Sequence, residues 1–92
     1  MTINSILKEV GQRVRYLRIS ANLKQAEIAA KAAVSLDTVG SIEKGRSVNS
    51  ESLFRVLKAL GHEDALLRAL PEPTISPVQL AKLKGKERQR VR

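Results

Sequence analysis

Apolar residues recur every three or four positions along the first 70 residues of this sequence, as they do at Leu7, Val10, Val14 and Leu17. Such spacing places apolar side chains along one side of a helix. No stretch alternates apolar and polar residues for long enough to indicate a β-strand. The sequence therefore predicts an all-α fold, a compact domain of four to five helices with an aliphatic core.

Residues that commonly begin or end helices divide this pattern into segments. Asn22 can adopt the left-handed conformation that ends a helix, and Gly45 and Gly61 are further stop signals. Ser35 and Ser50 are placed to cap the helices that follow them. The predicted helices cover roughly residues 5–21, 25–32, 36–44, 51–60 and 63–70, with a short sixth over 77–84.

Two prolines mark the end of the helical part. Pro71 and Pro73 disfavour helix around them, so we predict a domain over residues 1–70 and a linker with a basic tail over residues 71–92. Residues 1–71 carry 11 basic and 7 acidic side chains, whereas residues 72–92 carry 6 and 2. Both parts therefore have a net charge of +4, and the charge is denser in the tail.

The overall charge and the rare residue types narrow the possible functions. The formal net charge is +8, which makes nucleic acid the expected partner and an acidic protein surface the alternative. The chain has no cysteine and one histidine, His62, so we predict neither an enzyme nor a metal or other cofactor. It has no apolar stretch of spanning length and no secretory signal, so we expect a cytoplasmic, nucleoid-associated protein.

A short turn joins the second and third predicted helices and requires a steep crossing angle. The residues expected to point into that angle are Ile28, Ala32, Val34, Val39 and Ile42, and the small Ala29 lets the backbones approach. The opposite face of the third helix then carries Asp37, Gly40, Ser41 and Lys44. A slim polar face of this kind suits a DNA major groove, which is about 12 Å wide.

Several segments together are similar to a known family. They are Gln12 to Arg18, Leu23 to Ala29, Val39, Ile42 to Arg46, and the residues Leu53, Leu57, Leu60 and Gly61. This pattern, over residues 11–61, resembles the Cro/repressor-type (XRE) helix-turn-helix domain. The resemblance implies that Gln25 contacts a DNA phosphate and that residues 35–41 lie in the groove. It also implies an ion pair between Arg18 and Glu43 that holds the reading helix to the scaffold.

The sequence departs from the family at two positions. Ala33 replaces the usual glycine of the turn, where its methyl group makes a left-handed backbone cost on the order of 1 kcal/mol or more, so we expect a slightly different turn. Gly40 lies in the middle of the third helix, where it costs roughly 1 kcal/mol relative to alanine. Either DNA approaches closely at Gly40, or the site is poorly specified.

Two groups of residues are the candidate DNA contacts. Neither Arg nor Gln occurs over residues 35–41, so base contacts should be modest and supplemented by DNA shape. The candidate base contacts are Leu36 to a thymine methyl, Asp37 to a cytosine amine, and Thr38, Gly40 and Ser41. The candidate phosphate contacts are Lys24, Gln25, Ser35, Lys44, Arg46 and Asn49, with capping of the fourth helix as an equal alternative for Asn49.

Three residues are expected to have structural roles only. Tyr16 and Phe54 stand at helical spacing among aliphatic residues, so we expect both in the core. His62 follows a glycine stop signal, so we expect an exposed residue at the end of the fourth helix.

Together these features predict a sequence-specific transcriptional repressor that binds a palindromic operator as a homodimer. The fifth helix, with Leu66, Leu67 and Leu70, is a candidate dimer surface, and a core role for it is equally compatible with the sequence. The alternatives are a protein-interaction module for an acidic partner and a non-specific architectural DNA-binding protein.

The tail adds a second resemblance. Its order of Pro-Glu-Pro, Ser76-Pro77, Leu80 to Lys82 and a basic run from Lys86 resembles the ends of HipB-like antitoxins, which are encoded beside HipA-like kinases. That resemblance implies a HipA-like toxin kinase as a partner. From the residues alone, the tail is compatible with a disordered end, an arm that contacts DNA, or a segment that docks on a protein.

Overall fold

The computed structural model describes residues 1–73, and within this range the chain forms helices and turns only. The helices are α1 (Ile3–Ser20), α2 (Gln25–Ala32), α3 (Leu36–Glu43), α4 (Ser50–Ala59) and α5 (Ala65–Ala69). The prediction of an all-α fold is confirmed. The predicted sixth helix and basic tail lie outside the described residues, and the domain division at residue 70 stays a prediction.

Among residues 1–73, no helix has both the length and the apolar character needed to cross a membrane.

Hydroxyl side chains cap the N-termini of α1 and α3. The Thr2 hydroxyl accepts a hydrogen bond from the backbone nitrogen of Ser5 at 3.1 Å, so α1 begins at Ile3 rather than near residue 5. The prediction that Ser35 caps α3 is confirmed, because its hydroxyl accepts a hydrogen bond from the backbone nitrogen of Thr38 at 3.0 Å.

The starts of α4 and α5 differ from the predictions. The predicted cap at Ser50 is wrong, because Asn49 Oδ1 accepts the hydrogen bond from the Ser52 nitrogen at 2.8 Å and Ser50 is the first helical residue. Adjacent Asn and Ser residues are almost equally good caps, so local preference did not separate them. Helix α5 begins at Ala65, so the predicted start at residues 63 and 64 is also wrong, and Asp64 precedes the helix.

The first four helices end in the same type of turn. Each is followed by a residue with positive φ, namely Asn22 at 62°, Ala33 at 57°, Gly45 at 78° and Gly61 at 82°. After α3, for example, the backbone nitrogen of Arg46 donates to the carbonyl oxygen of Ser41 at 2.9 Å, and the backbone nitrogen of Gly45 donates to the carbonyl oxygen of Ile42 at 3.1 Å. These bonds form Schellman motifs, which satisfy carbonyl groups at the helix ends.

Ala33 keeps the left-handed conformation in spite of its methyl group. Its φ and ψ are 57° and 44°, and the nitrogen of Val34 donates to the carbonyl of Ala29 at 3.0 Å. The expectation of a different turn is therefore wrong. The chain instead carries backbone strain of about 1 kcal/mol at Ala33, and the burial of Ala32 and Val39 on the two flanking helices holds the turn in place.

The core lies between α1, α2, α3 and α4 and is entirely aliphatic. Its buried residues are Val14, Ile28, Ala29, Ala32, Val39, Ile42 and Val56. The predicted inward face of α2 and α3 is therefore confirmed, and Val34 packs against the edge of this core in a partly buried position. Because short isolated helices are marginal in water, this shared core supplies most of their stability.

Both aromatic residues lie at the surface, so their predicted core positions are wrong. The Tyr16 and Phe54 side chains are 69% and 44% exposed. Each stands two residues from a buried valine, Val14 or Val56, and two residues turn the side chain about 200° around the helix. His62 is exposed after α4, as predicted, and its backbone nitrogen donates to the carbonyl of Leu57 at 2.8 Å.

Two glycines allow α1 to touch the end of α3 directly. A Cβ at Gly11 would lie 2.9 Å from the Glu43 carbonyl oxygen and even closer to that of Ile42. A Cβ at Gly45 would lie 2.7 Å from the Cα of Lys8. The C-terminal end of α3 therefore packs directly against the backbone of α1. The sequence analysis did not predict this contact of Gly11.

We predict that Ala33→Gly raises the free energy of unfolding by about 1 kcal/mol, because glycine adopts the left-handed conformation without the Cβ strain. Urea unfolding of the purified protein measures the change. Ala30→Gly is the matched control, since it places the same change on the exposed side of α2 and should lower stability by about 1 kcal/mol. Equal destabilisation by both variants would show that Ala33 carries no strain.

Candidate nucleic-acid interface

Helix α3 has one buried side and one side open to solvent. Val39 and Ile42 are buried, at 0% and 3% exposure, whereas Asp37 and Lys44 are exposed on the opposite side. Gly40 and Ser41 lie between the buried and the exposed side of the helix and are half-buried. The apolar side chains therefore lie under the helix, and none of the predicted reading residues is in the core.

The candidate base contacts differ in how freely they reach solvent. Leu36 is 54% exposed at the first position of α3, and Asp37 follows it. The Thr38 side chain is half-buried, and its hydroxyl shares a hydrogen bond of 2.8 Å with that of Ser35. The Ser35 hydroxyl, which also caps α3, thus has two hydrogen bonds within the protein and the Thr38 hydroxyl has one, and each can form a further hydrogen bond.

A buried ion pair joins α1 to the end of α3. Arg18 Nε donates to Glu43 Oε2 at 2.7 Å, and Arg18 Nη2 donates to Glu43 Oε1 at 3.0 Å. The third guanidinium nitrogen, Nη1, donates to the carbonyl of Leu23 at 2.8 Å. The two side chains are only 12% and 3% exposed. This two-pronged pair fixes the orientation of α3 as well as its distance from α1.

Gln25 belongs to the same network. Its Nε2 donates to Glu43 Oε1 at 3.1 Å, so the first residue of α2 is tied to the last residue of α3. An amide nitrogen has two hydrogens, so one remains for an outside acceptor. Gln25, which the resemblance implies is a phosphate contact, is therefore held in a defined position by the protein itself.

The charge of Glu43 is stabilised by its neighbours. Burial by itself would raise the pKa of this carboxyl group, but the hydrogen bonds from Arg18 and Gln25 and the charges of Arg18 and Arg15 outweigh it, so the pKa is lowered. The hydrogen bond to Glu43 raises the pKa of Arg18 against the opposing effect of burial. Both groups are charged in the folded protein at neutral pH.

The candidate phosphate contacts lie at helix ends around α3. Lys24 immediately precedes α2, Ser35 caps α3, and Asn49 caps α4. Lys44 and Arg46 are exposed on either side of the turn residue Gly45. The capping role of Asn49 is confirmed, and it uses the side-chain oxygen only, so its amide NH2 group can still donate to an outside acceptor.

Two basic residues of α1 also lie near this surface and were not identified from the sequence. Lys8 packs against Gly45, and Arg15 is close enough to Glu43 to lower the pKa of that carboxyl group. Arg15 stands three residues before Arg18, on a neighbouring part of the same helix face. Arg15 could therefore have been found from the predicted ion pair of Arg18, because both residues lie on the same side of the helix. No local feature of the sequence indicated that Lys8 lies near α3.

We predict that Arg18→Ala lowers the free energy of unfolding by about 3 kcal/mol, because it leaves a buried carboxylate without its partner. Arg13→Ala is the matched control on the same helix. Arg13 pairs with Glu9 at 3.0 Å, but its side chain is 77% exposed, so its loss should change stability little. Urea unfolding at pH 7 compares the two variants. A similar small change in both would show that the buried pair adds nothing.

The same pair predicts a pH dependence. Because the pKa of Glu43 is lowered by folding, its charge stabilises the protein above the ordinary pKa of a glutamate, about 4.3, and this contribution is lost as the pH falls through the lowered value. The stability difference between the wild type and Glu43→Gln should therefore be constant above about pH 6 and shrink below about pH 4. A difference that does not change with pH would contradict this role of the charge.

Comparison with known proteins identifies the family. The search of curated proteins found no match to the chain. A family model described as helix-turn-helix matches residues 14–66, which is more than half of the sequence and includes α2, α3, α4 and the whole Arg18 network. The chain therefore belongs to the Cro/XRE-type helix-turn-helix family of DNA-binding transcription regulators.

Proposed function

We propose that this protein is a transcriptional repressor that binds a palindromic operator as a dimer, with the α3 helices of two copies in major grooves one turn apart, about 34 Å. Repression would be steric, because an occupied operator over a promoter excludes the polymerase. The observation that carries the proposal is the buried pair of Arg18 and Glu43. It holds α3 rigidly with a polar face outward, which a reading helix requires.

In this proposal, sequence is read by few side chains. Leu36 contacts a thymine methyl group, and Asp37 accepts a hydrogen bond from a cytosine amine. Thr38 and Ser41 add hydroxyl contacts. Because these contacts are small, DNA shape and flexibility contribute the remaining discrimination.

The contacts to phosphate groups position α3 and supply most of the affinity. Gln25 approaches the DNA backbone from the start of α2 while Glu43 holds it. The other proposed contacts flank α3 at helix ends, and they are Lys24, Ser35, Lys44, Arg46 and Asn49. The net charge of +8 supports this role.

We place the dimer surface on α5. Leu67 on α5 and Leu70, which directly follows the helix, are 73% and 57% exposed, and Leu66 is 44% exposed. Exposed apolar residues grouped in this way are typical of association surfaces. Light scattering of the free protein should then give twice the chain mass of 10.1 kDa, and a value near one chain mass would contradict the proposed surface.

DNase footprinting on the DNA that flanks the protein's own gene tests the repressor proposal. We expect one preferred fragment with two symmetric protected half-sites. Asp37→Ala should change which bases are tolerated, whereas Lys44→Ala should weaken binding to all sequences and reduce the salt dependence by about one phosphate contact. Lys58→Ala, which removes an exposed lysine on α4, is the matched control and should leave the salt dependence unchanged.

Other outcomes of the footprint favour the other functions. Equal affinity for all duplexes would indicate an architectural DNA-binding protein, with log affinity falling by about 0.9 per phosphate contact for each tenfold increase in salt. No binding to any duplex would indicate a protein-interaction module. Asp37→Ala with the same footprint as the wild type would argue against base reading at that position.

We further propose that the repressor is a HipB-like antitoxin that binds a toxin kinase. The support is the sequence order of residues 71–92, of which residues 74–92 lie outside the described part of the chain. A pull-down from cells that carry the native operon should recover a HipA-like kinase with the full chain and lose it when the chain ends at Pro73. Recovery of no kinase would contradict this role and leave the repressor proposal intact.

A further inference from the structure

Gly40 is an unfavourable residue for its place in the fold. It is the fifth of the eight residues of α3, on the side of the helix that faces away from the core. A glycine inside a helix increases the flexibility of the unfolded chain and destabilises the helix relative to alanine. A short helix that must hold its shape should therefore have a side chain here unless another contact requires its absence.

Neither the backbone nor the packing of residues 1–73 requires glycine at this position. Among residues 1–73, the glycines with positive φ are Gly45 and Gly61, so the backbone of Gly40 is compatible with any residue except proline. A Cβ built at Gly40 meets no atom within 4 Å. Gly11 is the contrasting case, because a Cβ there would collide with the backbone of α3. Within residues 1–73, therefore, no contact explains the absence of a side chain at Gly40.

The bare surface at Gly40 is apolar. Its carbonyl oxygen accepts a hydrogen bond from the backbone nitrogen of Lys44 at 3.0 Å, so the helix already uses that group. Leu36, one turn earlier on the same side of α3, adds an exposed apolar side chain. On the outward face an exposed apolar side chain, Leu36, therefore stands one turn from a position that has no side chain, Gly40, and we call this open position beside Leu36 the notch.

We propose that this notch receives the methyl group of a thymine in the major groove, and that Gly40 determines specificity through the absence of a side chain. The thymine methyl is the apolar group that base pairs present in that groove. This inference rests on the proposed function, because it requires α3 to lie against base edges. Gly40 then favours thymine by shape, whereas Asp37 and Ser41 select bases by hydrogen bonding.

Binding titrations with the preferred duplex and with random DNA test the notch. Gly40→Ala should raise Tm by about 4 to 8 °C, because the helix is stabilised, yet weaken binding to the preferred duplex tenfold or more. Its affinity for random DNA should not change. Gly40→Leu should bind the preferred duplex still more weakly, whereas Ala30→Leu, on the exposed side of α2, should bind it as the wild type does.

Deoxyuridine, which lacks the methyl group, identifies the base. Placed at each thymine of the footprint in turn, it should weaken wild-type binding about fourfold at one position per half-site. At that position it should restore much of the binding lost by Gly40→Ala, because the added methyl group of the protein occupies the vacated space.

Three results of the binding measurements would overturn the inference. They are unchanged affinity of Gly40→Ala for the preferred duplex, an equal loss on random DNA, and a loss that deoxyuridine does not relieve at any thymine. A lower Tm for Gly40→Ala would also overturn it, since the fold itself would then require glycine. Failure of the repressor proposal is separate, because the wild type would then show no preferred duplex.

Discussion

The ion pair between Arg18 and Glu43 is the interaction on which the rest of the structure depends. Glu43 is the last residue of α3, where the helix dipole disfavours a carboxylate, and its side chain is almost completely buried. Three hydrogen bonds from Arg18 and Gln25 compensate for both effects. These directional bonds connect α1, α2 and α3 at one point, so they fix the orientation of α3 and the side that it exposes to solvent. Apolar packing is not directional, so a small aliphatic core fixes that orientation less precisely.

Backbone contacts complement this pair at the same end of α3. Gly11 and Gly45 let α1 approach the carbonyl end of α3 without intervening side chains. The left-handed residues Asn22 and Ala33 follow α1 and α2, so the chain turns sharply before and after α2. Because the helices are short and the turns are tight, few alternative packings remain, and strain of about 1 kcal/mol at Ala33 is tolerated. Within the described part of the chain, Asp37 and Lys44 are consequently exposed on the outward face of α3, and a Cβ at Gly40 would meet no atom within 4 Å.

Much of the helical framework could be predicted from the sequence, because its causes are local. The pattern of apolar residues identified the inward face of α2 and α3, and the cap at Ser35 and the turn at Asn22 follow from preferences of single residues. Errors arose where two local signals compete, as at Asn49 and Ser50, or where a pattern does not say which side of a helix is buried. Tyr16 and Phe54 fit the helical spacing, yet the packing of α1 and α4 leaves both at the surface.

The sequence by itself determined that the chain is helical, where most helices end, and that it resembles a DNA-binding family, a resemblance that implied the ion pair of Arg18 and Glu43. Only the tertiary structure decided that Gln25 donates to Glu43, that α1 touches α3 through Gly11, and that the space beside Gly40 is open. The physical reason is distance along the chain. Helix caps and turns depend on residues within about four positions, whereas burial, charge pairing and free space depend on residues brought together by folding.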